Sequence, residues 1–150
     1  MKSVDVMRCS LVRETGIEYD KIKVETPEDV IEFFKAVGFE NFADETFSVL
    51  CLDTKGRIAG YHEISHGDLS STIVHPREVY KRALLNNAFG IVACHNHPSG
   101  DSTPSKEDEE LTRRLGEAGT LLGVKMFDHI IIGNGETYSF KEEMPDALGW

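Results

Sequence analysis

The feature that most constrains the fold is a short apolar strand that leads through a turn into a capped helix. Residues 91–94 are apolar and predict a strand, whereas residues 95–104 contain two prolines and a glycine and predict a long turn. Ser105 is then the expected N-cap of a helix. The apolar face of that helix consists of Leu111, Leu115, Ala118 and Leu122. A strand and a helix joined in this way predict helices that pack on a sheet.

Similar signals alternate along the rest of the chain. Thr26 and Pro27 mark the start of one helix, and Pro76 marks the start of another. Runs of strand-forming residues predict further strands at 47–52, 58–65, 71–74, 124–127, 129–132 and 137–140. This interleaving predicts the α/β or α+β class, with a mixed central sheet flanked by helices.

Composition and charge argue against several classes of function. The 150-residue chain has 16 basic and 26 acidic side chains, and its net charge of −10 disfavours binding to nucleic acid or to anionic membranes. The three cysteines are widely spaced and include no Cys-x-x-Cys pair, which excludes a thiolate zinc knuckle. No apolar run approaches about 20 residues, and the start of the chain has no signal-peptide pattern, so we expect a cytoplasmic protein.

Two histidines and an aspartate in the strand–turn–helix segment are candidate metal ligands. In extended backbone His95 and His97 point to the same side, and Asp108 lies one helical turn after Ser105. Two imidazoles and a carboxylate suit zinc and leave a fourth position for water, as in catalytic sites. The alternative is that Ser105 and Asp108 only form a capping box, which would itself hold Asp108 rigidly.

The same segment resembles the JAMM motif of the MPN/JAB metalloprotease superfamily. That motif is an upstream Glu, then His-x-His, seven residues, Ser, two residues and Asp, and here residues 98–104 separate His97 from Ser105. Three stretches look like the bacterial RadC family of this superfamily, namely HNHPSGD at 95–101, VHPRE at 74–78 and FDHIIIG at 127–133.

The resemblance implies a cytidine-deaminase-like JAB/MPN domain with one zinc ion per chain. His95, His97 and Asp108 resemble the zinc ligands of the family. The implied activity is that of a metallohydrolase, which cleaves peptide or isopeptide bonds through a zinc-activated water.

Two further residues acquire catalytic roles from the resemblance. Ser105 resembles the residue whose hydroxyl helps to hold the oxyanion. The general base of the family precedes the first core strand, which points to Glu45, with Glu63 on the second strand as the rival.

The resemblance also sets the expected domain boundaries, with a JAB/MPN domain over residues 26–140. Residues 1–25, where Ile22 and Val24 suggest a weak edge strand, form an extension, and the polar residues 141–150 form a tail that we expect to fray. Longer RadC proteins carry an N-terminal region that resembles helix-hairpin-helix DNA-binding modules, and this chain is expected to be a short form without it.

The implied partner is an extended peptide or a protein-conjugate substrate. We expect neither direct binding to nucleic acid nor a membrane partner, and the sequence leaves the oligomeric state open. Two alternative functions follow from the same resemblance. One is a RadC-type accessory factor in DNA repair, and the other is a catalytically silent MPN module that binds proteins.

Other conspicuous residues have structural interpretations. Cys94 is expected to point to the face opposite His95 because strand residues alternate. Asp128 and His129 are expected to form a structural hydrogen-bonded pair, with a role in substrate or metal binding as the alternative. Three histidines are expected at the surface or in packing roles: His62, His66 and His75.

Overall fold

A mixed β-sheet forms the centre of the computed structural model, which describes residues 1–67 and 74–150. The five strands within these residues are β1 (Thr46–Leu52), β2 (Ile58–His66), β3 (Gly90–Asn96), β4 (Lys125–Ile132) and β5 (Thr137–Ser139). Their order is β2-β1-β3-β4-β5, with β3 and β4 parallel and the other neighbours antiparallel. The mixed sheet confirms the predicted fold class.

Helices cover both faces of the sheet. The α-helices of the described residues are α1 (Pro27–Val37), α2 (Pro76–Leu85), α3 (Lys106–Leu122) and α4 (Phe140–Glu143). α1 and α3 each begin with a capping box, formed by Thr26 with Asp29 and by Ser105 with Asp108. Both starts agree with the sequence prediction. Across the described part of the chain, no helix combines the length and the apolarity that a bilayer span requires.

Each face of the sheet carries its own hydrophobic core. Side chains alternate along β1, so Phe47, Val49 and Cys51 pack in the core that includes α2 and α3. Leu50 and Leu52 point the other way and pack in the core that includes α1. Every residue of β1 is buried because the strand lies between both layers.

The strand order brings the end of β3 beside the start of β1. These two strands are antiparallel, and Phe47 lies opposite His95. α3 follows β3 after a nine-residue connection, 97–105, and leads into β4, which pairs with β3 in parallel. The residues just before β1, at the end of β3 and in the first turn of α3 therefore meet at one end of the sheet.

The N-terminal extension differs from its prediction. In place of an edge strand, residues 1–25 contribute one isolated bridge between Lys23 and Arg57, and the residues before it are irregular. The bridge is flanked by a hydrogen bond from Ile58 N–H to the Ile22 carbonyl. Thr26 caps α1 three residues after the bridge, which leaves no length for a longer ladder.

The expectation that residues 141–150 fray is wrong. A 3-10 turn at Pro145–Leu148 packs against α3, and Ala147 and Leu148 are buried. Gly116 makes this contact possible, because a Cβ atom there would lie 2.6 Å from the backbone carbon of Leu148. Because the segment is mostly polar, its few buried apolar residues were not recognised from the sequence.

Smaller differences concern the ends and faces of elements. β3 extends through His95 and Asn96, which the sequence assigned to the turn, because both residues pair with β4. The predicted segments 124–127 and 129–132 form one strand, β4. Leu122 is 47% exposed, although the sequence assigned it to the apolar face of its helix. The face of α3 that packs on the sheet is the row of residues that begins with Asp108, and Leu122 is not part of it. The strand expected at 71–74 lies outside the described residues, except for Val74.

Candidate metal centre

Four ionisable side chains from three parts of the chain converge where β3 ends. Glu45 directly precedes β1, His95 lies in β3, His97 follows that strand, and Asp108 belongs to the first turn of α3. One potential ligand atom from each residue lies within 4.8 Å of those of the other three. The structure thus brings together residues that are up to 63 positions apart (108 − 45).

The tightest part of this group is a triangle of two imidazoles and a carboxylate. His95 Nε2 and His97 Nε2 are 3.0 Å apart. Asp108 places one oxygen 3.2 Å from His95 Nε2 and the other 3.0 Å from His97 Nε2. Two ligands of a tetrahedral zinc ion, each about 2.0–2.1 Å from the metal, are about 3.3 Å apart. The group therefore has the spacing of ligands that could hold one metal ion.

The ring of His97 turns a proton-free nitrogen toward the centre. Its Nδ1 lies 2.8 Å from the backbone carbonyl oxygen of Asp101, which only accepts hydrogen bonds. Nδ1 therefore carries the proton of the neutral imidazole, and Nε2 keeps its lone pair.

A chain of hydrogen bonds also leaves the Nε2 atom of His95 without a proton. The hydroxyl of Thr112 donates to the backbone carbonyl of Asp108 at 2.7 Å, so its oxygen accepts from Nδ1 of His129, also at 2.7 Å. His129 Nε2 is then left as an acceptor for the Nδ1–H group of His95 at 2.7 Å. The Nε2 lone pair of His95 consequently points into the centre.

With these tautomers the centre favours a bound cation, which can be a metal ion or, in the metal-free protein, a proton on an Nε2 atom. Two nitrogen lone pairs that face each other at 3.0 Å repel, and a cation between them converts the repulsion into coordination. A second hydrogen bond that orients the ligand imidazole is the usual environment of a metal-binding histidine.

Glu45 lies farther from the two histidine nitrogens than the three members of the triangle lie from one another. Its Oε1 atom is 4.0 Å from His95 Nε2 and 3.9 Å from His97 Nε2. Glu63, in contrast, is 52% exposed on β2, lies 3.5 Å from His66 Nδ1 and is not part of the group. Of the two glutamates that the sequence left in competition, the structure brings Glu45 to the centre.

Ser105 holds Asp108 in place through the capping box of α3. The Ser105 Oγ atom accepts a hydrogen bond from the Asp108 backbone N–H at 3.1 Å, and its own backbone N–H donates to Asp108 Oδ2 at 2.8 Å. The two interpretations of this pair, capping box and metal site, are therefore compatible. Because Oγ is the acceptor in this bond, the hydroxyl proton of Ser105 remains available to another acceptor.

Burial and hydrogen bonding set the charges of the centre. Burial opposes ionisation of Asp108, but hydrogen bonds with His95 and His97 outweigh it and hold the pKa of its carboxyl well below the usual range. Burial also opposes the charged form of His97, yet its hydrogen bond with Asp108 raises the pKa of the imidazole. Complete burial lowers the pKa of His129 far enough to keep its ring neutral. The centre therefore has an anionic side that attracts a cation.

The sequence also matches a known protein family. A family model described as RadC-like JAB domain matches residues 24–145. The chain belongs to this family. The match confirms the resemblance drawn from the sequence motifs.

Two relatives of this RadC-like domain are both named UPF0758 protein. One from Caldanaerobacter subterraneus subsp. tengcongensis is 47% identical over 124 residues, which are 83% of this chain and 53% of the relative. One from Methanosarcina barkeri is 45% identical over 130 residues, which are 87% of this chain and 56% of the relative. The chain thus spans about half the length of the curated relatives that it matches.

Three buried polar residues of the RadC-like domain hydrogen-bond to the segments that carry the centre, and the sequence pointed to only one of them, His129, through the alternative role in substrate or metal binding. Asn96 lies between His95 and His97 in the sequence. Thr112 belongs to α3 and His129 to β4, and all three residues are buried. The FDHIIIG stretch was the only signal for His129. Nothing local marked Thr112, because its role depends on the packing of α3 against β4.

Asp128 and His129 form a hydrogen-bonded pair, as predicted, but through the backbone of His129 rather than its ring. The two side chains point to opposite faces of β4, and their link is a bond from the His129 backbone N–H to Asp128 Oδ1 at 2.7 Å. Asp128 accepts further hydrogen bonds from the Ser139 hydroxyl at 2.6 Å and from the Lys141 backbone at 2.9 Å. It lines a cavity of about 350 Å³ on the α1 side of the sheet, away from the candidate centre.

The other interpretations of single residues agree with the structure. Cys94 is buried in the core on the α1 side, opposite His95. His66 is 57% exposed, His62 bonds to the Asn86 side chain, and His75 is partly exposed.

Proposed function

We propose that this RadC-like domain is a zinc-dependent metallohydrolase that cleaves peptide or isopeptide bonds. The observation that carries the proposal is the convergence of His95 Nε2, His97 Nε2 and the Asp108 carboxylate within 3.0–3.2 Å of one another. Two imidazoles and one carboxylate suit zinc among the common metals, and three protein ligands leave a position open for chemistry. When bound, zinc would polarise the scissile carbonyl and lower the pKa of a water molecule.

Two residues outside the ligand triangle would assist the reaction, one by transferring the proton of the attacking water and the other by stabilising the oxyanion. Glu45 would accept a proton from the attacking water and return it to the leaving amine. Ser105 would donate its hydroxyl proton to the oxyanion that forms on the carbonyl.

An extended peptide or the tail of a protein conjugate is the proposed substrate. β2 lies at the edge of the sheet, and its last residue, His66, pairs with Thr46, directly after Glu45. A segment that added to this edge as a further strand would run alongside β2, whose last residue pairs next to Glu45. The net charge of −10 disfavours a phosphate backbone as the ligand.

Hydrolysis of a mixed panel of fluorogenic peptides and isopeptide-linked conjugates tests the proposal. We expect cleavage by the zinc-loaded protein, its loss with a chelator and its return with added zinc. A silent binding module would bind members of the panel without cleaving any. An accessory factor in DNA repair would instead bind DNA in a salt-dependent manner.

The variant Glu45→Gln tests the role of the base. We expect it to retain zinc while its rate falls about 10²- to 10⁴-fold, because a general base is not a ligand. The matched control is Glu63→Gln, which should change neither zinc content nor rate. Loss of zinc in Glu45→Gln would make Glu45 a ligand, and an unchanged rate would remove it from the mechanism.

A further inference from the structure

Asn96, the residue between the two ligand histidines, makes contacts that the candidate ligand set does not explain. It is 3% exposed and points away from His95, because neighbours in β3 alternate between the faces of the sheet. A buried carboxamide is costly unless its donor and its acceptor both find partners. Both partners of Asn96 lie in the segment that carries Glu45.

The carboxamide of Asn96 bridges the two peptide units on either side of Glu45. Its Oδ1 atom accepts a hydrogen bond from the Thr46 backbone N–H at 2.7 Å. Its Nδ2 atom donates to the Asp44 backbone carbonyl at 3.0 Å. The Glu45 carbonyl itself accepts from the Gly67 N–H at 2.9 Å. The backbone at Glu45 is thereby held on both sides.

Asparagine suits this bridge better than its small polar alternatives. One planar carboxamide offers a donor and an acceptor at the same time, whereas a carboxylate has no donor. A serine or threonine hydroxyl is too close to its own backbone to reach both peptide units. The bridge also starts from the residue between His95 and His97, so it ties the segment of Glu45 directly to the ligand segment.

We propose that Asn96 is a positioning residue that holds the Glu45 carboxylate against the metal centre. The inference rests on the proposed role of Glu45 as the general base. A displacement of about 1 Å in a catalytic group costs about 10²-fold in rate. Because Glu45 lies 3.9–4.0 Å from the histidine nitrogens and outside the ligand triangle, the ligands alone do not fix its position.

Asn96→Ala and Asn96→Ser are the test variants, and Asn41→Ala is the matched control. Asn41 is exposed on the same connection between α1 and β1, so its loss leaves the bridge intact. Each protein is loaded with Co²⁺, which accepts the same ligand types and is paramagnetic. Three quantities are then compared: the metal content, the exchange rate of the Thr46 amide hydrogen, and the paramagnetic relaxation of the Glu45 carboxyl carbon.

We expect both Asn96 variants to bind one metal ion per chain, because all three ligands remain. The Thr46 amide should exchange faster, and the relaxation of the Glu45 carboxyl carbon should fall several-fold as the carboxylate moves away. On a cleaved substrate kcat should fall about 10²-fold, with no further loss when Asn96→Ala is added to Glu45→Gln. A merely structural role of Asn96 would lower kcat in both backgrounds.

An unchanged relaxation of the Glu45 carboxyl carbon in the folded Asn96 variants would overturn the proposal. If Asn96→Ala does not fold, the same measurement on Asn96→Ser, which keeps a polar group, tests the proposal. The exchange and relaxation measurements need no substrate. A failure of the proposed hydrolase activity can therefore be distinguished from a failure of the positioning role.

Discussion

At the scale of single residues, the candidate centre depends on protons as much as on distances. The His95 and His97 lone pairs face each other only because each ring donates its other N–H to a fixed acceptor, His129 in one case and the Asp101 carbonyl in the other. Thr112 stands at the start of the longer chain of bonds. Removal of a group that orients a metal ligand typically costs a factor of about 10–100 in metal affinity.

Thr112→Val should therefore lower zinc affinity about 10- to 100-fold, although Thr112 is not a ligand. Without the hydroxyl, the proton of His129 has no acceptor and the tautomer of His95 is no longer selected. Thr112→Ser keeps the hydroxyl and should bind zinc nearly as the original chain does. Competition with a chromogenic chelator measures all of these affinities.

The control for this prediction is Thr120→Val on the same helix. Thr120 also donates to a carbonyl four residues back, at 3.0 Å, but lies far from the centre, so zinc affinity should not change. Equal zinc affinity of Thr112→Val and the original chain would show that the chain of hydrogen bonds does not select the tautomer.

Ser105 should show two separable effects. Ser105→Ala removes the N-cap, which should lower the free energy of unfolding by about 1 kcal/mol. It also removes the oxyanion donor, which should lower kcat about 10²-fold or more. Ser105→Asp keeps a cap but places a negative charge where the oxyanion forms, so it should fold and be inactive. Chemical denaturation and turnover measured on the same samples give the two numbers.

Thr26→Ala is the matched control, because it removes the equivalent cap from α1. It should lower stability and leave turnover unchanged. A stable and fully active Ser105→Asp protein would exclude the catalytic role of Ser105.

At the scale of elements, one capping box serves two purposes. The carboxylate that caps α3 is also a member of the ligand triangle, so the helix start and the candidate centre form together. The other capping box, at Thr26 of α1, shows that the device by itself needs no metal. The position of the box directly after β3 and its turn is what brings Asp108 to His95 and His97.

Local signals made these elements predictable, and long-range pairing explains what was missed. The His-x-His pair, the turn and Ser105 lie within 14 residues (95–108), so their geometry follows from strand and helix periods alone. The bonds of Asn96 to Thr46 and of His95 to His129 join residues 50 and 34 positions apart, and they depend on strand register. Register could not be read from the apolar runs, which are buried on both faces.

The C-terminal segment is the element that the sequence misjudged, and Leu148 tests its packing. Leu148 is 1% exposed, so Leu148→Ala should lower the free energy of unfolding by about 2–5 kcal/mol. Leu121→Ala is the control, since Leu121 is 87% exposed on α3 and its loss should change stability little. Chemical denaturation that gives the same small effect for both variants would contradict the packing of residues 145–148.

At the scale of the whole molecule, metal binding should stabilise the fold in a pH-dependent way. The raised pKa of His97 means that its charged form, paired with Asp108, stabilises the metal-free protein at low pH. This contribution is lost as the pH rises through that pKa. Zinc competes with the same proton, so its binding strengthens as the pH rises.

The shift in melting temperature between zinc-loaded and chelator-treated protein should therefore grow from about pH 5.5 to about pH 7.5, across the usual pKa range of histidine. In Asp108→Asn the shift should be small at both pH values, because one ligand is lost. A zinc-induced shift that stays constant with pH would mean that no histidine must lose a proton to bind the metal.

An anomalous difference map at the zinc edge, from crystals grown near neutral pH with zinc, shows directly whether the candidate centre binds zinc. We predict one peak per chain, about 2.0–2.2 Å from His95 Nε2, His97 Nε2 and an Asp108 oxygen, with the Glu45 carboxylate outside coordination distance. A peak coordinated by other residues, or no peak at this position, would contradict the assignment of the metal centre.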